Sequence, residues 1–270
     1  MMSNLSRETL INRASDMKVI PTLNGIVEKV LQVIENNNSS FSDLSRIVQY
    51  DQAICSKIIS IANSAYYSRG VEVFELQRAM LTIGFEEVRG IVTCLMFVEN
   101  ILKKLKLKEQ DLFALWKHSI QVAYGAKMLS ERLLIEESPK VYTISLLHDI
   151  GKIIFYLSFD QYGVMINEAM ENKKDIAEAE KETFGIDHQE LGYIIAIKWK
   201  FPNDFAQIIR HHHGKQNGET ENSLMRLVGA SNNFAHSSLD PRSPEGFILE
   251  KERGNINEEV EKIMEFLKLG

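Results

Sequence analysis

The sequence feature that most constrains the fold is a helical spacing of apolar residues that runs through almost the whole chain. Within residues 23–34, apolar side chains recur every three or four positions, and the same spacing returns in segment after segment as far as residue 269. This spacing places the apolar side chains on one face of an α-helix. The 270 residues contain no hairpin turn motif between alternating runs and no internal repeat. We therefore predict an all-α fold rather than an α/β fold.

Local sequence signals predict where several of these helices begin and end. Ser42 and Asp51 carry the short oxygen-bearing side chains that are typical of helix N-caps, and Gly84 is typical of a helix end. After Gly84, the apolar spacing predicts a further long helix over residues 86–105. Near the end of the chain, a polar stretch precedes an amphipathic helix that we predict over residues 256–269.

A charged stretch from Lys103 to Asp111 interrupts the apolar pattern and is the best candidate for a domain boundary. We predict an N-terminal helical bundle over residues 1–110, a second helical domain over residues 111–236, and a polar segment with a C-terminal helix over residues 237–270. The lysines of the charged stretch alternate with leucines and have no aromatic neighbours. We interpret them as a solvated helix end rather than a phosphate-binding patch.

Charge and composition exclude several classes of protein. The chain has 31 Lys and Arg against 37 Asp and Glu, a net charge of −6, so no global basic field attracts nucleic acid or an anionic membrane. No apolar run approaches the ~20 residues that a membrane-spanning helix needs, and the N-terminus lacks the apolar core of a signal peptide. Cys55 and Cys94 lie far apart in apolar surroundings, as buried thiols in a reducing compartment do. We expect a cytoplasmic protein with no nucleic-acid or membrane partner.

The histidines are the most informative residues, and all seven lie between residues 118 and 236. The pair His148-Asp149 ends an apolar stretch, and a buried imidazole beside a buried carboxylate is costly unless each has a partner. A metal ion would satisfy both groups, and the two oxygens of Asp149 could bridge two ions. We expect Gly151 to let the chain turn and Lys152 to hold a phosphate oxygen. The alternative is an ordinary helix end, with His148 stabilised by the helix dipole and Asp149 acting as a cap.

These residues occur in an order that resembles a known superfamily. The order of His118, His148 to Lys152, His188 and His212-His213 resembles that of the HD-superfamily phosphohydrolases. The resemblance is strongest to their binuclear HD-GYP branch, which hydrolyses cyclic di-GMP. The N-terminal half resembles the HDOD domains, which are bacterial signalling output modules related to those hydrolases. The segments that carry this second resemblance are Ile20 to Leu23, Ile47 to Asp51, Ile61 to Tyr67 and Ala79 to Gly84. The resemblance implies an N-terminal helical bundle packed on an HD-like helical domain.

The resemblance also implies two sets of metal ligands that share one aspartate. The first set would contain His118, His148, Asp149 and a late aspartate, and the second set would contain Asp149, His188, His212 and His213. The late aspartate is missing here. We assign its position to Ser231, with Asn232 or Asn233 as the next candidates. A hydroxyl is a poor ligand for a hard dication, so we expect a single divalent ion, Zn, Fe, Mn or Ni, in the second set.

Two functions from different classes follow from the resemblance. The first is a bacterial signal-transduction output module that acts through binding signalling proteins or a nucleotide or phosphate ligand, with a degenerate metal pocket. The alternative is a metal-dependent phosphohydrolase that acts on a nucleotide or cyclic dinucleotide, in which Lys152 stabilises the developing charge. We favour the non-enzymatic function because the late aspartate is missing and because the Gly-Tyr-Pro loop that names the HD-GYP enzymes is absent after His213.

One short segment of the N-terminal half is predicted to have a structural role. Ala62 is small enough to allow close packing, and Asn63 can bond backbone groups that a helix end leaves free. We therefore expect Ala62-Asn63-Ser64 to form a contact between helices of the N-terminal bundle.

Overall fold

The structure is a computed structural model that describes residues 7, 11–12, 29, 32–33, 40–64, 67–68, 70–85, 88, 109–136, 138–159, 161–199, 201–213 and 222–268. Within these ranges the regular elements are all α-helices and no β-strand occurs, so the all-α prediction is confirmed. Several predictions concern residues outside these ranges. They are the long helix over 86–105, most of the helix over 23–34, most of the boundary at 103–111, Cys94, and the loop after His213.

The helices are numbered here in chain order. They are α1 (Phe41–Val48), α2 (Gln52–Ala62), α3 (Leu76–Ile83), α4 (Glu109–Leu133), α5 (Ser138–Leu146), α6 (Ile150–Ser158), α7 (Tyr162–Glu171), α8 (Ile176–Phe184), α9 (His188–Lys198), α10 (Asn203–His211), α11 (Ser223–Ala235) and α12 (Pro244–Lys268). None of these described helices is both long enough and apolar enough to cross a lipid bilayer.

The starts of α1 and α2 depend on side-chain caps. Asp51 caps α2 as predicted, because its Oδ1 accepts a hydrogen bond from the Ile54 N–H at 2.8 Å. The prediction for α1 is wrong by two residues, since the N-cap is Ser40 rather than Ser42. Asp43 explains the difference: its carboxylate accepts from the Ser40 N–H at 2.8 Å while the Ser40 hydroxyl accepts from the Asp43 N–H at 3.2 Å. This reciprocal capping box satisfies two backbone donors at once.

The end of α2 is tied to the segment before α3 by one side chain. The Asn63 Nδ2 donates to the carbonyl oxygens of Ile59 at 2.9 Å and Val73 at 2.7 Å, and its Oδ1 accepts from the Val73 N–H at 2.8 Å. The amide therefore closes the helix end and holds a loop in register. The predicted contact joins a helix end to a loop, rather than two helices.

The second half of the chain is organised around the long helix α4. This helix packs against α5, α11 and α12, while α9 packs on α6 and α10. The C-terminal helix begins twelve residues earlier than predicted, at Pro244, which suits the first turn because proline has no N–H to donate. Its residues Leu249, Ile256 and Val260 are buried.

Helices α6 and α9 approach each other closely at two glycines. A Cβ atom on Gly151 would lie 1.9 Å from the backbone oxygen of His188, and one on Gly192 would lie 2.7 Å from Ile209 Cγ2. Gly151 lies inside α6, so the expectation that it turns the chain is wrong. Its role is to let the backbone of α6 touch the start of α9, because no side chain fits there.

The N-terminal helices pack directly on the second half, as the resemblance implied. The Gln52 amide of α2 donates to the Leu146 carbonyl oxygen at 2.5 Å, and α3 contacts α5. Nearby, the ring of Phe74 stacks on Phe205 with centroids 6.3 Å apart, and the Lys140 ammonium lies 4.6 Å from the Phe74 centroid.

Candidate metal centre

The pair His148-Asp149 lies in the tight turn between α5 and α6, and both side chains are fully buried. Asp149 occupies the N-cap position of α6 but its side chain makes no capping hydrogen bond. The alternative in which Asp149 is an ordinary helix cap is therefore wrong. The carboxylate instead faces inward, toward the histidines.

Four imidazoles surround the two oxygens of Asp149. His212 and His188 place their Nε2 atoms 3.2 Å and 3.6 Å from Oδ1. His148 and His118 each place Nε2 at 3.4 Å from Oδ2. The carboxylate thus has two faces, and each face looks at a different pair of histidines.

A fifth histidine, His213, joins the group on the Oδ1 face. Its ring centroid lies 4.3 Å from that of His212 and 5.1 Å from that of His188. Two sets of potential metal ligands result, Asp149 with His188, His212 and His213, and Asp149 with His118 and His148, in each of which the ligand atoms lie within 4.8 Å of one another. All six residues predicted as ligands are thus brought together. Their binding of a metal stays a prediction.

The ring orientation of three histidines is fixed through Nδ1. The Nδ1 of His148 lies 2.7 Å from the Ser145 carbonyl oxygen, and that of His212 lies 2.9 Å from the Ile209 carbonyl oxygen. An Nδ1–H that donates to a carbonyl leaves Nε2 as a bare lone pair pointing at Asp149. Metal-binding histidines are held in this way.

The third histidine, His188, is held by a residue that the sequence analysis missed. Glu180 is fully buried, and its Oε2 accepts from the His188 N–H at 2.7 Å and contacts the His188 Nδ1 at 2.6 Å. The other oxygen, Oε1, accepts from the Tyr162 hydroxyl. Glu180 therefore sets both the start of α9 and the tautomer of its first side chain.

Several buried atoms of this cluster have no hydrogen-bond partner in the described part of the chain. They are the Nε2 atoms of His118, His148, His188 and His212, together with Oδ1 of Asp149. Buried polar atoms in native proteins are nearly always bonded to protein, water or an ion. On the Oδ1 face, the unpartnered Asp149 Oδ1 and the Nε2 atoms of His188 and His212 lie together, as the ligands of a metal ion do.

The electrostatics of the cluster favour the protonation states that bind metals. Burial lowers the pKa of His118 to about 4 and that of His212 to about 3, so both imidazoles are neutral at pH 7. Burial alone would raise the pKa of Asp149, but the nearby charge of Lys152 and contacts from His148 and His118 hold that pKa well below its usual range. Neutral imidazoles and an ionised carboxylate are ready to bind a cation.

Lys152 occupies one face of the aspartate. Its ammonium donates to Asp149 Oδ2 at 2.6 Å, and the side chain is only 6% exposed. The sequence analysis assigned this lysine to a phosphate oxygen. In the structure its partner is the carboxylate, one helical turn earlier in α6.

Helix α11 brings Asn232 beside the histidines, with its Nδ2 3.4 Å from the His213 Nδ1. A Cβ on Gly125 would lie 3.2 Å from the Ser231 Oγ, so this buried hydroxyl packs against α4. The assignment of the late-aspartate position to Ser231 stays a prediction. His236, one turn after Asn232, has its ring centroid 4.7 Å from that of His118, and its i, i+4 spacing from Asn232 is the signal that could have found it.

A family model and several solved structures match the chain. A model of the HDOD domain matches residues 20–215. The structure is similar to that of the MmoQ response regulator from Methylococcus capsulatus, with a TM-score of 0.67 and 19% identity over 87% of this chain and 93% of that one. An HDOD domain protein of unknown function from Geobacter sulfurreducens gives a TM-score of 0.53 and 20% identity over 96% and 98% of the two chains. At these identities the similarity shows the fold.

One more solved structure and one curated relative are also similar to the chain. A virulence factor from Campylobacter jejuni has a TM-score of 0.64 and 19% identity, over 94% of this chain and 92% of that one. An uncharacterized protein from Treponema pallidum is 23% identical over 231 residues, which are 83% of this chain and 44% of the relative. The chain thus spans less than half the length of that curated relative.

Proposed function

The chain belongs to the HDOD domain family, and from that premise we propose that it is a bacterial signalling module whose buried histidine–aspartate cluster binds one divalent metal ion. The observation that carries the proposal is the unequal use of the two Asp149 oxygens. Oδ2 is bonded to Lys152, whereas Oδ1 has no hydrogen-bond partner in the described chain and faces histidines. The family, and the fold shared with a response regulator, support the signalling role.

The residues on the Oδ1 face fit a metal ion. Asp149 Oδ1, the Nε2 atoms of His188 and His212, and a ring nitrogen of His213 would hold it. Three imidazoles and one carboxylate suit Zn, Fe, Mn or Ni. An ion bound there would supply Lewis acidity and lower the pKa of a bound water molecule.

The Oδ2 face offers much less to a second ion. The Lys152 ammonium already neutralises this oxygen on the side of His118 and His148. In and just after α11, the described side chains beside the histidines include the amide of Asn232 and the imidazole of His236. Neither of these groups supplies a negative charge. A second dication would have to displace the ammonium without a new carboxylate to compensate, so we expect one ion per chain.

Metal content tests the proposal directly. Protein purified without chelator and dialysed against excess Mn or Zn should hold about one ion per chain, because the Lys152 ammonium already occupies the Oδ2 face of Asp149. Lys152→Met removes the internal cation and should open a second, weaker site. Lys127→Met, which removes an ammonium from the surface of α4, is the matched control and should leave the metal content unchanged.

The outcomes separate the parts of the proposal. No ion in the unmodified chain would contradict metal binding altogether, and two ions would contradict the single-ion site. One ion in both the unmodified chain and Lys152→Met would show that the lysine does not control access to the Oδ2 face.

The phosphohydrolase alternative has one observation in its favour, the buried ammonium of Lys152 beside the cluster. The same metal-loaded protein should be assayed on phosphomonoesters, nucleotides and cyclic dinucleotides. We expect no multiple turnover, because in-line displacement is best served by two ions. Turnover that Asp149→Asn abolishes would establish the hydrolase instead.

A further inference from the structure

A cavity of about 180 Å³ lies between the N-terminal helices and the second half of the chain, apart from the histidine cluster. Its walls come from α1 and α3 on one side and from α4 and α5 on the other, with Leu76, Tyr124 and Leu146 among the lining residues. The cavity exists only because the two parts of the chain pack together. Neither part encloses it alone.

One wall of the cavity presents a polar atom that lacks a partner. The Tyr142 hydroxyl is buried and has no hydrogen-bond partner in the described part of the chain. Its ring packs edge-to-face with that of Tyr124, with centroids 5.6 Å apart and planes at 87°. A buried hydroxyl without a partner costs free energy, and such a group in a cavity wall points to a ligand that pairs with it.

Two carboxamides, those of Gln49 and Gln77, also line the cavity, together with the hydroxyl-bearing Ser45 and Thr143. The Gln49 Nε2 donates to the Arg46 carbonyl oxygen at 3.1 Å, which ties this carboxamide to the end of α1. A carboxamide carries a donor and an acceptor side by side, and this pair matches the edge of a planar heterocycle, as glutamine matches adenine in nucleic-acid recognition.

The cation at the cavity is partly exposed. Lys127 lines it, with its ammonium 5.8 Å from the Tyr124 ring centroid and 3.9 Å from a carboxylate oxygen of Glu131. The Lys127 side chain is 39% exposed. An ammonium in this position can meet an anionic group that projects from a ring bound inside.

We propose that this cavity binds a small planar heterocycle with an adjacent hydrogen-bond donor and acceptor, of the size of a single nucleobase. The size follows from the volume, since an enclosed cavity of ~150 Å³ accommodates benzene. The Tyr142 hydroxyl and the carboxamides of Gln49 and Gln77 bond the edge of the ring, and Tyr124 and Leu146 contact its faces. This proposal is independent of metal binding.

Calorimetry on the full chain tests the proposal with defined probes. Adenine, guanine, uracil and cytosine are titrated as free bases and as nucleoside 5′-monophosphates, with benzene as an apolar probe of similar size. At least one base should bind and raise the Tm, while benzene should not. Tyr142→Phe, which removes only the hydroxyl, should weaken that base about fivefold, as expected for one neutral hydrogen bond. Gln77→Leu should weaken it to a similar degree.

Two further variants complete the experiment. Tyr193→Phe removes a hydroxyl from a ring that lies under Arg210, away from the cavity, and should bind the base as the unmodified chain does. If the nucleoside monophosphate binds more tightly than its free base, and Lys127→Met abolishes this difference, the ligand is a nucleotide. If the monophosphate and the free base bind equally well, the ligand is the base alone. The proposal is overturned if no base binds, if benzene binds equally well, or if Tyr142→Phe binds the base unchanged.

Discussion

Two polar clusters at helix junctions, one partly buried and one fully buried, differ in how completely their atoms are paired. Asn63, at the end of α2, uses both of its amide atoms in three hydrogen bonds to backbone groups. Asp149, in the turn before α6, has one oxygen bonded to Lys152 and one without a hydrogen-bond partner in the described chain. The histidines around Asp149 add four more unpaired nitrogens.

This difference distinguishes Asn63, which stabilises the fold, from Asp149, whose free oxygen suits a ligand. An unpaired buried polar group costs about 1–3 kcal/mol, so natural proteins keep few of them. The amide of Asn63 incurs no such cost and stabilises the chain. The Asp149 cluster concentrates several such costs at one point, which is understandable if a bound ion removes them together.

The largest effect that would test this comparison is expected from Asp149→Asn. The carboxamide keeps the shape of the carboxylate but removes the negative charge shared by both ligand sets, so metal content should fall from about one ion per chain to nearly none. Elemental analysis measures it. Asp204→Asn, at a partly exposed carboxylate that pairs with Lys140 at 2.9 Å, is the control and should retain the metal.

A variant at Asn63 tests whether the loss of metal is specific to the Asp149 cluster. Asn63→Ala should leave the metal content at the unmodified value, because its partners all belong to α2 and the following loop. Loss of metal in Asn63→Ala, or its retention in Asp149→Asn, would remove the distinction between the two clusters.

The next effect in size is a pH dependence that the histidine cluster produces and the amide of Asn63 does not. In chelator, the pKa of His118 is about 4 and that of His212 is about 3, both below the usual value of 6.5. The unfolded chain therefore binds more protons than the folded chain between these values, so stability falls as the pH falls from 6.5 toward 4. Each histidine contributes a slope of up to about 1.4 kcal/mol per pH unit in that window.

Urea unfolding of the chelated protein at pH 7, 6 and 5 measures this slope. His118→Gln should flatten the profile, since it removes one of the groups that take up a proton on unfolding. Asn63→Ala should lower the free energy of unfolding equally at every pH. A profile that His118→Gln leaves unchanged would contradict the assignment of the slope to the cluster.

The sequence predicted the helices and the histidine cluster for different reasons. Apolar spacing is a local property, so it located α2 and α4 without knowledge of their neighbours. The convergence of the histidines on Asp149 came from the resemblance to a family, since no local rule brings α4, α9 and α10 to one point. The preference for short oxygen-bearing side chains at N-caps identified Asp51 correctly but placed the cap of α1 at Ser42 instead of Ser40.

The residues that the sequence did not reveal depend on packing. Glu180 lies in a run of charged residues that is typical of a solvent-exposed helix face. In the structure, α8 packs against α9 and Glu180 is buried against Tyr162. Gly151 looked like a turn residue, but its requirement is the backbone of α9, which only the assembled fold places there. Likewise, Asn232 and Ser231 are adjacent, and their order relative to the histidines depends on the rotation of α11.

A smaller effect is expected from Asn63→Ala on stability itself. The loss of three partly buried hydrogen bonds should lower the free energy of unfolding by about 1–3 kcal/mol. Asn172→Ala is a close control, because Asn172 also ends a helix and its Nδ2 donates to the carbonyl oxygen four residues back, Glu168, at 2.7 Å, but on the surface. Its loss should cost less than about 0.5 kcal/mol. Equal losses in both variants would show that the link to Val73 contributes nothing.

The smallest effect should come from Tyr162→Phe, which acts on the metal site through two intermediaries. The Tyr162 hydroxyl bonds Glu180, and Glu180 in turn holds the Nδ1 of His188. The phenylalanine ring would keep the stacking on Phe155, whose centroid lies 5.0 Å away, so the core is preserved. Glu180 would still hold His188, but with one oxygen unpaired and a looser orientation.

Because outer contacts of this kind orient metal ligands without touching the ion, we expect metal affinity to fall by about threefold in Tyr162→Phe, well short of the about 10–100-fold expected for Glu180→Gln. Titration with Mn or Zn measures both, and Tyr193→Phe serves again as the control that leaves affinity unchanged. Stability in chelator distinguishes positioning from packing: a variant that only loosened the core would unfold more easily while binding metal as before. A Tyr162→Phe protein that lost metal as completely as Asp149→Asn would show that the tyrosine is part of the site itself, and that the cluster extends one residue further than the geometry of Asp149 indicates.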